Sequence, residues 1–403
     1  MNRRKFLLTA PVLGLLGRMS ASEMFLPAEE TAAEFADWRE GWLDIHHIST
    51  GRGNAAFIIC PDGTTILIDA GDLGAEVNPN HTPHIPDDSK RAGEWIAEYI
   101  RRFSKPLKNR YLDYAFLTHF HDDHIGAKYD GLPEPNGYAL TGIADVAEQI
   151  DIKMLIDRGY PDYNYPSRER AKRANRSFFD DYLKFVEYQR TNKGVRVEML
   201  DAGSDRQIVL KNAPSEYPDF KVQNIYVNGQ AWTGEGRSTR SIFTDADTPD
   251  ENQCSGAIRL QYGRFGYWSG GDCNGVERQI CDVIRPTTVF NVNHHANGSP
   301  QTEFLAAMRP QVMIVPVWDL YHPKADCMER MIDRTIYPDD RLIFATARVN
   351  GIEKLLGDNI KHFQPLGHIV VRVTDSGSKY KVYVLDAMDK NCSVKMETRT
   401  LQA

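Results

Sequence analysis

Thr118-His119-Phe120-His121-Asp122-Asp123-His124-Ile125-Gly126 follows directly on the apolar run Tyr114-Ala115-Phe116-Leu117. The run reads as a buried strand, so the polar cluster stands where that strand leaves its sheet and becomes a loop. Between His119 and His124, six residues hold three imidazoles and two carboxylates, in a chain with only 12 histidines among 403 residues. That density sets the cluster apart from a loop with scattered histidines. Alternation along an extended chain points His119 and His121 to one side. Asp123 and His124 come round in the turn that follows. Imidazoles on one flank, and a carboxylate with an imidazole on the other, suit two adjacent divalent metals.

Upstream of the cluster, residues 41–48, 55–60 and 65–69 read as strands, the last two joined by the hairpin turn Pro61-Asp62-Gly63. The third strand ends in Asp69-Ala70-Gly71-Asp72, whose carboxylates either approach a site or serve the turn. Residues 90–103 have helical apolar spacing (Ala92, Trp95, Ile96, Tyr99, Ile100, Phe103), and a strand over 111–117 then runs into the cluster. A polar cluster at the carboxyl end of such a strand is the usual position of an α/β active site.

Residues 127–250 are the least regular stretch. They hold a helix over 143–150, a strand over 152–157 and a long charged helix over 168–193. Short strands at 195–200 and 207–210 follow, and the polar, glycine-rich residues 228–252 read as a mobile surface loop. The start of the charged helix carries Arg168, Arg170, Lys172, Arg173 and Arg176, either a solvated face or a basic rim for an anionic substrate.

Regular patterning returns with a hairpin over 255–269 that runs into Gly270-Gly271-Asp272. A strand over 287–292 ends at Asn293-His294-His295-Ala296-Asn297-Gly298-Ser299, and one over 311–317 ends at Trp318-Asp319-Leu320-Tyr321-His322-Pro323. A strand over 341–345 and a hairpin (368–374, 380–385) complete the chain. Asp272, after two glycines, can come close to metal and bridge two ions. If the strand continued, His294 and His295 would point opposite ways, one a ligand and the other packed beside it. His322 is a candidate near the substrate. Two halves, each a sheet with helices and each presenting polar residues at one edge, make an α+β, four-layer αββα sandwich with its site in the cleft.

Composition limits the partners. At 41% hydrophobic and 26% charged the chain is of ordinary globular type, and no internal apolar run reaches the ~20 residues that cross a bilayer. Residues 1–22 pair Asn2-Arg3-Arg4-Lys5 with a short apolar stretch and Met19-Ser20-Ala21-Ser22, the pattern of a signal peptide. The adjacent arginines are those of a twin-arginine leader, with a plain secretory leader as the alternative, so the protein is expected in the periplasm or outside the cell, without a membrane anchor. Removing these residues takes away four basic residues and no acidic one, moving the formal charge from −7 to −11. Such an acidic chain is a poor non-specific ligand for duplex nucleic acid. The six scattered cysteines form no Cys-x-x-Cys pair, which leaves room for one or two bridges and excludes a disulfide scaffold.

The motif His119-x-His121-x-Asp123-His124, with Gly271-Asp272 and His294-His295 in that order, resembles the metallo-β-lactamase-fold hydrolases. More narrowly, residues 42–323 outside 127–250 resemble the extracellular hydrolase domain of bacterial competence (DNA-uptake) channel proteins. The resemblance implies a hydrolase domain over residues 40–390 with an insertion at about 127–250. It implies metal ligation by His119, His121, Asp123, His124, Asp272, His294 and His295, and substrate contacts from His322, Asn297 and Ser299. It further implies that one or two ions acidify a bound water, with Asp123 orienting that water and taking its proton. Many relatives place another histidine between the first motif and the bridging Asp, but residues 125–271 contain none. An oxygen donor in its place makes Mn²⁺ a rival to Zn²⁺. The expected substrate is a phosphodiester of a nucleotide or of single-stranded nucleic acid. A β-lactamase or lactonase, and a non-catalytic metal-binding scaffold, are the alternatives.

Overall fold

Pro61-Asp62-Gly63 does form the hairpin turn between β2 (Ala56–Ile59) and β3 (Thr65–Ile68), with Gly63 at φ 82°, a conformation open to glycine at no steric cost. Ahead of them β1 (Leu43–His47) pairs antiparallel with β2. The computed structural model describes residues 24–26, 34–74, 78–167, 169, 177–244 and 246–403. The leader at 1–22 and the basic residues Arg168, Arg170, Lys172, Arg173 and Arg176 lie outside the described residues.

From β3 the first sheet continues in parallel through β4 (Leu112–Phe116), β5 (Ile152–Asp157) and β6 (Arg196–Met199). A second sheet begins with β7 (Phe220–Val227), flanked by β8 (Gln230–Trp232) and β9 (Thr239–Ser241). It continues through the hairpin of β10 (Ala257–Tyr262) and β11 (Phe265–Ser269) into β12 (Val289–Asn291), β13 (Val312–Val315) and β14 (Leu342–Ala345). Strands β11 to β14 are parallel neighbours, and the order is β14-β13-β12-β11-β10-β7-β8-β9. The chain then returns to the first sheet. There β15 (His368–Thr374) pairs with β1, followed outward by β16 (Lys379–Leu385) and β17 (Val394–Glu397), with β18 (Leu401–Gln402) also on β16. The sheet thus runs past residue 390.

The two sheets meet across a core in which Ile45, Ile58, Ile66 and Phe116 pack with Leu260, Tyr267, Ile314 and Phe344. The outer face of the first sheet is covered by α1 (Ala92–Phe103), α3 (Ile143–Gln149) and α4 (Phe179–Asn192). A one-turn helix, α2 (Asp122–Ile125), sits at the cluster. On the outer face of the second sheet, beyond the short α5 (Glu277–Ile280), lie α6 (Thr302–Met308), α7 (Ala325–Ile332) and α8 (Ile352–Leu356). This is the α+β, four-layer αββα sandwich that the sequence implies.

Helix α1 shows how local signals hold a layer in place. Glu94 reaches back and accepts from the Arg91 amide at 2.9 Å, and Arg101 and Arg102 stand in the last turn, where the helix dipole favours cations. Its stripe of Ile96, Ala97, Tyr99 and Ile100 is buried on β-sheet residues such as Phe57 and Leu67. Truncating Ile100 to Ala there costs about 2–5 kcal/mol.

Three sequence expectations are corrected. Residues 207–210 form no strand, because Val209 bonds through both its N–H and C=O to the Tyr114 hydroxyl (3.0 and 2.9 Å) instead of a ladder. The stretch 228–252 contains the strands β8 and β9. And 127–250 is not simply set apart from the two halves, since β5 and β6 extend one sheet and β7 pairs with β10 in the other.

Among the described residues no helix is long and apolar enough to cross a membrane, and all six cysteines are unpaired.

Candidate metal centre

Parallel strands deliver the cluster from both sheets. After β4, Thr118 and His119 leave the first sheet, His121 is the N-cap of α2, and the single turn of α2 carries Asp123 and His124. Loops 48–55 and 69–72 close over this turn: Asn54 N–H donates to Asp123 O at 2.8 Å and Ala70 N–H to His124 O at 2.8 Å. A Cβ on Gly53 or Gly71 would overlap the Asp123 carbonyl, so the approach requires glycine at both positions. In the second sheet β11 runs into Gly271, at φ 52°, and then Asp272.

The expected alternation holds for His119 and His121, whose Nε2 and Nδ1 atoms are 3.0 Å apart. It fails for the other pair. Strand β12 stops at Asn291, and His294, His295 and Ala296 take positive φ angles of 49°, 52° and 61°. This left-handed turn, not strand pleating, decides which ring enters the centre. His295 enters, with Nε2 2.9 Å from Asp123 Oδ2 and 3.2 Å from His124 Nε2. His294 stands at the edge, its Nδ1 2.8 Å from Asn274 Nδ2, its Nε2 3.2 Å from Asn252 Nδ2 and 3.9 Å from Asp272 Oδ2.

Two donor groups result, Asp123–His124–Asp272–His295 and His119–His121–Asp272, the ligand atoms of each lying within 4.8 Å of one another. Asp272 belongs to both. Its Oδ1 is 3.1 Å from His124 Nε2 and 3.4 Å from His295 Nε2, while its Oδ2 is 3.7 Å from His119 Nε2. Each oxygen therefore serves one group, as a bridging carboxylate does.

The donors fit metal ions. His124 Nδ1 faces Asp69 Oδ2 at 2.7 Å and His295 Nδ1 faces the Pro316 carbonyl at 2.9 Å. Such acceptors put the proton of a neutral ring on Nδ1 and leave the Nε2 lone pair for the centre. Those lone pairs converge on Asp272 Oδ1, which is buried without a hydrogen-bond partner. Oxygen and imidazole donors suit zinc or manganese. The His119–His121–Asp272 group offers three donors; at the edge of the centre Asn252, whose amide meets His294, has a buried Oδ1 without a hydrogen-bond partner.

Charge and burial compete here. Burial pushes the Asp123 carboxyl up, but His124 and His295 beside it hold it well below the usual carboxylate range; Asp272 behaves alike, held down by His124, His295 and His294. Burial opposes charging His124, whereas Asp272, Asp123 and Asp69 raise its proton affinity. A metal bound at Nε2 would compete with a proton there, since a histidine ligand must be deprotonated at the binding nitrogen.

The remaining candidates fall outside the donor groups. His322 is buried and stacked on His295, ring centroids 4.7 Å apart, so it packs behind a member of a donor group. Ser299, expected at the substrate, is fully buried and donates its hydroxyl to Glu277. Asn297 is half-buried, and its N–H closes the 294–297 turn onto His294 O at 2.6 Å. Asp69 orients His124, and Asp72 caps its own loop at Gly74 N–H (2.9 Å).

Three residues went unnoticed in the sequence. Trp318 Nε1 donates to Asp123 Oδ2 at 2.9 Å. Glu251, paired with the buried Arg158, accepts from the Phe120 amide at 2.9 Å between the two ligand histidines. Asn252 follows it. Trp318 stands at a strand end as the ligands do, but nothing in the local sequence marks Glu251 or Asn252.

No family model matches the chain, and no curated protein matches it significantly. Among solved structures it is similar to Zn²⁺-bound PqqB from Methylobacterium extorquens, at 10% identity over 68% of this chain and 88% of that one, with a TM-score of 0.37. It is also similar to human tRNase Z, short form (11% identity, 67% and 91% covered, TM-score 0.29). The match to a long form RNase Z from yeast has 10% identity, covers 78% of this chain and 42% of that one, and has a TM-score of 0.37.

Proposed function

We propose that this chain is an exported, metal-dependent hydrolase that cleaves phosphodiester bonds in nucleotides or single-stranded nucleic acid. The observation that carries the hydrolytic reading is Asp272, one carboxylate shared between two donor groups, with the ionised Asp123 beside it. His119, His121 and Asp272 would hold one ion, and Asp123, His124, Asp272 and His295 the other. Zinc or manganese held there supplies Lewis acidity, which acidifies water and polarises the scissile oxygen.

The protein's own residues orient the reactants. Trp318 fixes Asp123 by donating to Oδ2, which leaves Oδ1 to accept a proton from the attacking water. His119, His124 and His295 are buried, whereas His121 and His294 are half-buried, so substrate approaches on the His121–His294 side. The amides of Asn252 and Asn274 on that side are hydrogen-bond donors suited to phosphate oxygens. The phosphodiester class is supported by the resemblance of the sequence motifs to the competence-type hydrolase domain. The formal charge, −7 for the full chain and −11 once residues 1–22 are removed, favours a small or single-stranded substrate over duplex.

The test is an assay of the metal-loaded protein against bis(p-nitrophenyl) phosphate, nitrocefin and a lactone panel, with Asp123→Asn beside it. We expect phosphodiester cleavage, lowered by two to four orders of magnitude in the variant, about the span of general acid–base catalysis. Turnover of the lactam or lactones alone would overturn the substrate class. Activity surviving Asp123→Asn on every substrate would overturn the mechanism.

A further inference from the structure

On the far side of the 48–55 loop, between α1, Ile85-Pro86 and residues 387–392, lies a cavity of about 370 Å³. None of its lining residues belongs to either donor group. Its size is that of a small-molecule site.

The rim is cationic in an acidic protein. Arg101, Arg102, Lys105, Arg110 and Lys390 line it, against two acids, Glu98 and Asp389. Both acids are engaged elsewhere. Glu98 pairs with Lys90, and Asp389 accepts from Asn391 N–H (2.9 Å) and the Ser393 hydroxyl (2.6 Å). Among the described residues the hydrogen bonds of Arg101 and Arg102 go to neutral acceptors: Arg101 donates to Gln149 Oε1 at 2.9 Å, and Arg102 to the carbonyls of Lys390 (3.2 Å) and Asn391. Among the described residues no ion pair joins Lys105, Arg110 or Lys390 to an acid. Asp389 lies in the field of Arg102 and Asp87 in that of Lys390, but the lining still carries five basic side chains against two acids, and this excess of positive charge is focused by a concave wall.

The floor is largely aromatic, with the Tyr99 and His368 rings tilted at 48° to one another. Tyr99 and His368 pack at 4.4 Å, with Trp95 beside them. His368 Nδ1 accepts from the Ser49 N–H at 3.0 Å, so the neutral ring carries its proton on Nε2 and remains a donor. Burial pushes the pKa of this histidine down to about 3, which keeps it neutral at pH 7.

We propose that this cavity is a binding site for a small aromatic acid, its ring against the edges and faces of Trp95, Tyr99 and His368 and its acid group at the Arg/Lys rim. The site is separate from the metal centre and does not depend on the reaction catalysed there.

Isothermal titration of the metal-loaded full chain tests this with 2-naphthoate as the probe and 2-naphthylmethanol as its uncharged counterpart. We expect saturable binding of the acid and at least tenfold weaker binding of the alcohol. Lys105→Glu/Arg110→Glu, two exposed positions, should weaken the acid at least tenfold with an unchanged melting temperature, and His295→Asn at the metal centre should leave it unchanged. No saturable binding, equal affinity for acid and alcohol, or indifference to the charge reversal would overturn the proposal. So would loss of binding in His295→Asn alone, which assigns the carboxylate to the metals.

Discussion

Asp69 Oδ2 lies 2.7 Å from His124 Nδ1, and the same carboxylate accepts from Thr118 N–H at 2.8 Å and Asn54 Nδ2 at 2.9 Å. Asp69 is thereby locked at the end of β3 with φ 58°, a conformation that Asp and Asn tolerate better than most residues. Asp69→Asn preserves the shape but offers an amide N–H to Nδ1, which favours the tautomer with its proton on Nε2. Metal affinity should fall by about 10–100-fold. Competition with a chromophoric chelator measures it, and an affinity equal to wild type would show that Asp69 serves only the loop.

Sharing of Asp272 between two donor groups predicts how metal is lost. The wild-type chain should carry two ions by elemental analysis after gel filtration. His295→Asn should lose one and keep the other, and His119→Asn should do the converse. Asp272→Asn should weaken both, because each of its oxygens faces a different group. Single occupancy in the wild type that survives His119→Asn would refute the two-group centre.

The sequence made His119, His121, Asp123 and His124 legible because a strand and one tight turn follow local rules. Asp272 was legible because Gly271 can take the positive φ that turns the chain toward the cleft. The choice between His294 and His295 was not, since it depends on three consecutive non-glycine residues in left-handed conformation, which no local pattern announces. Strand β7 hid behind Gln223 and Asn224, buried amides that bond to Gly203 O and Asp201 O at 2.9 and 3.0 Å and break the apolar alternation. Trp318 and Asn252 reach the centre only through the packing of one sheet on the other.

Arg158 and Glu251 form a fully buried pair: Nε to Oε1 is 2.6 Å, and the guanidinium also lies 4.5 Å from the Phe120 ring centroid. Glu251→Leu leaves that guanidinium charged without its acid, at a cost of about 3–5 kcal/mol. It also removes the acceptor of the Phe120 amide, so metal affinity should fall with stability. Arg158→Met/Glu251→Leu removes both charges and should be more stable than Glu251→Leu alone. Urea midpoints order the variants, and a double variant less stable than the single would contradict an uncompensated buried charge as the cause.

Burial holds His47 and His368 down to about 3, against an ordinary histidine value of 6.5. Between pH 6.5 and 3 the unfolded chain therefore binds protons at these two sites and the folded chain does not. Stability is lost as the pH falls through that window, by at most about 1.4 kcal/mol per pH unit for each histidine. Glu277 acts in the opposite sense. Burial raises its pKa from 4.5 to about 6, so its contribution is present below 4.5 and lost as the pH rises through 6. Comparing wild type with a single-site variant cancels that term. His47→Leu, of similar volume in the space between the sheets, should flatten the fall in urea midpoint between pH 6.5 and 5 while leaving the curves parallel above pH 7. Identical slopes in the two proteins would mean that His47 is protonated in the folded state and finds a partner that the packing around Tyr267 does not display.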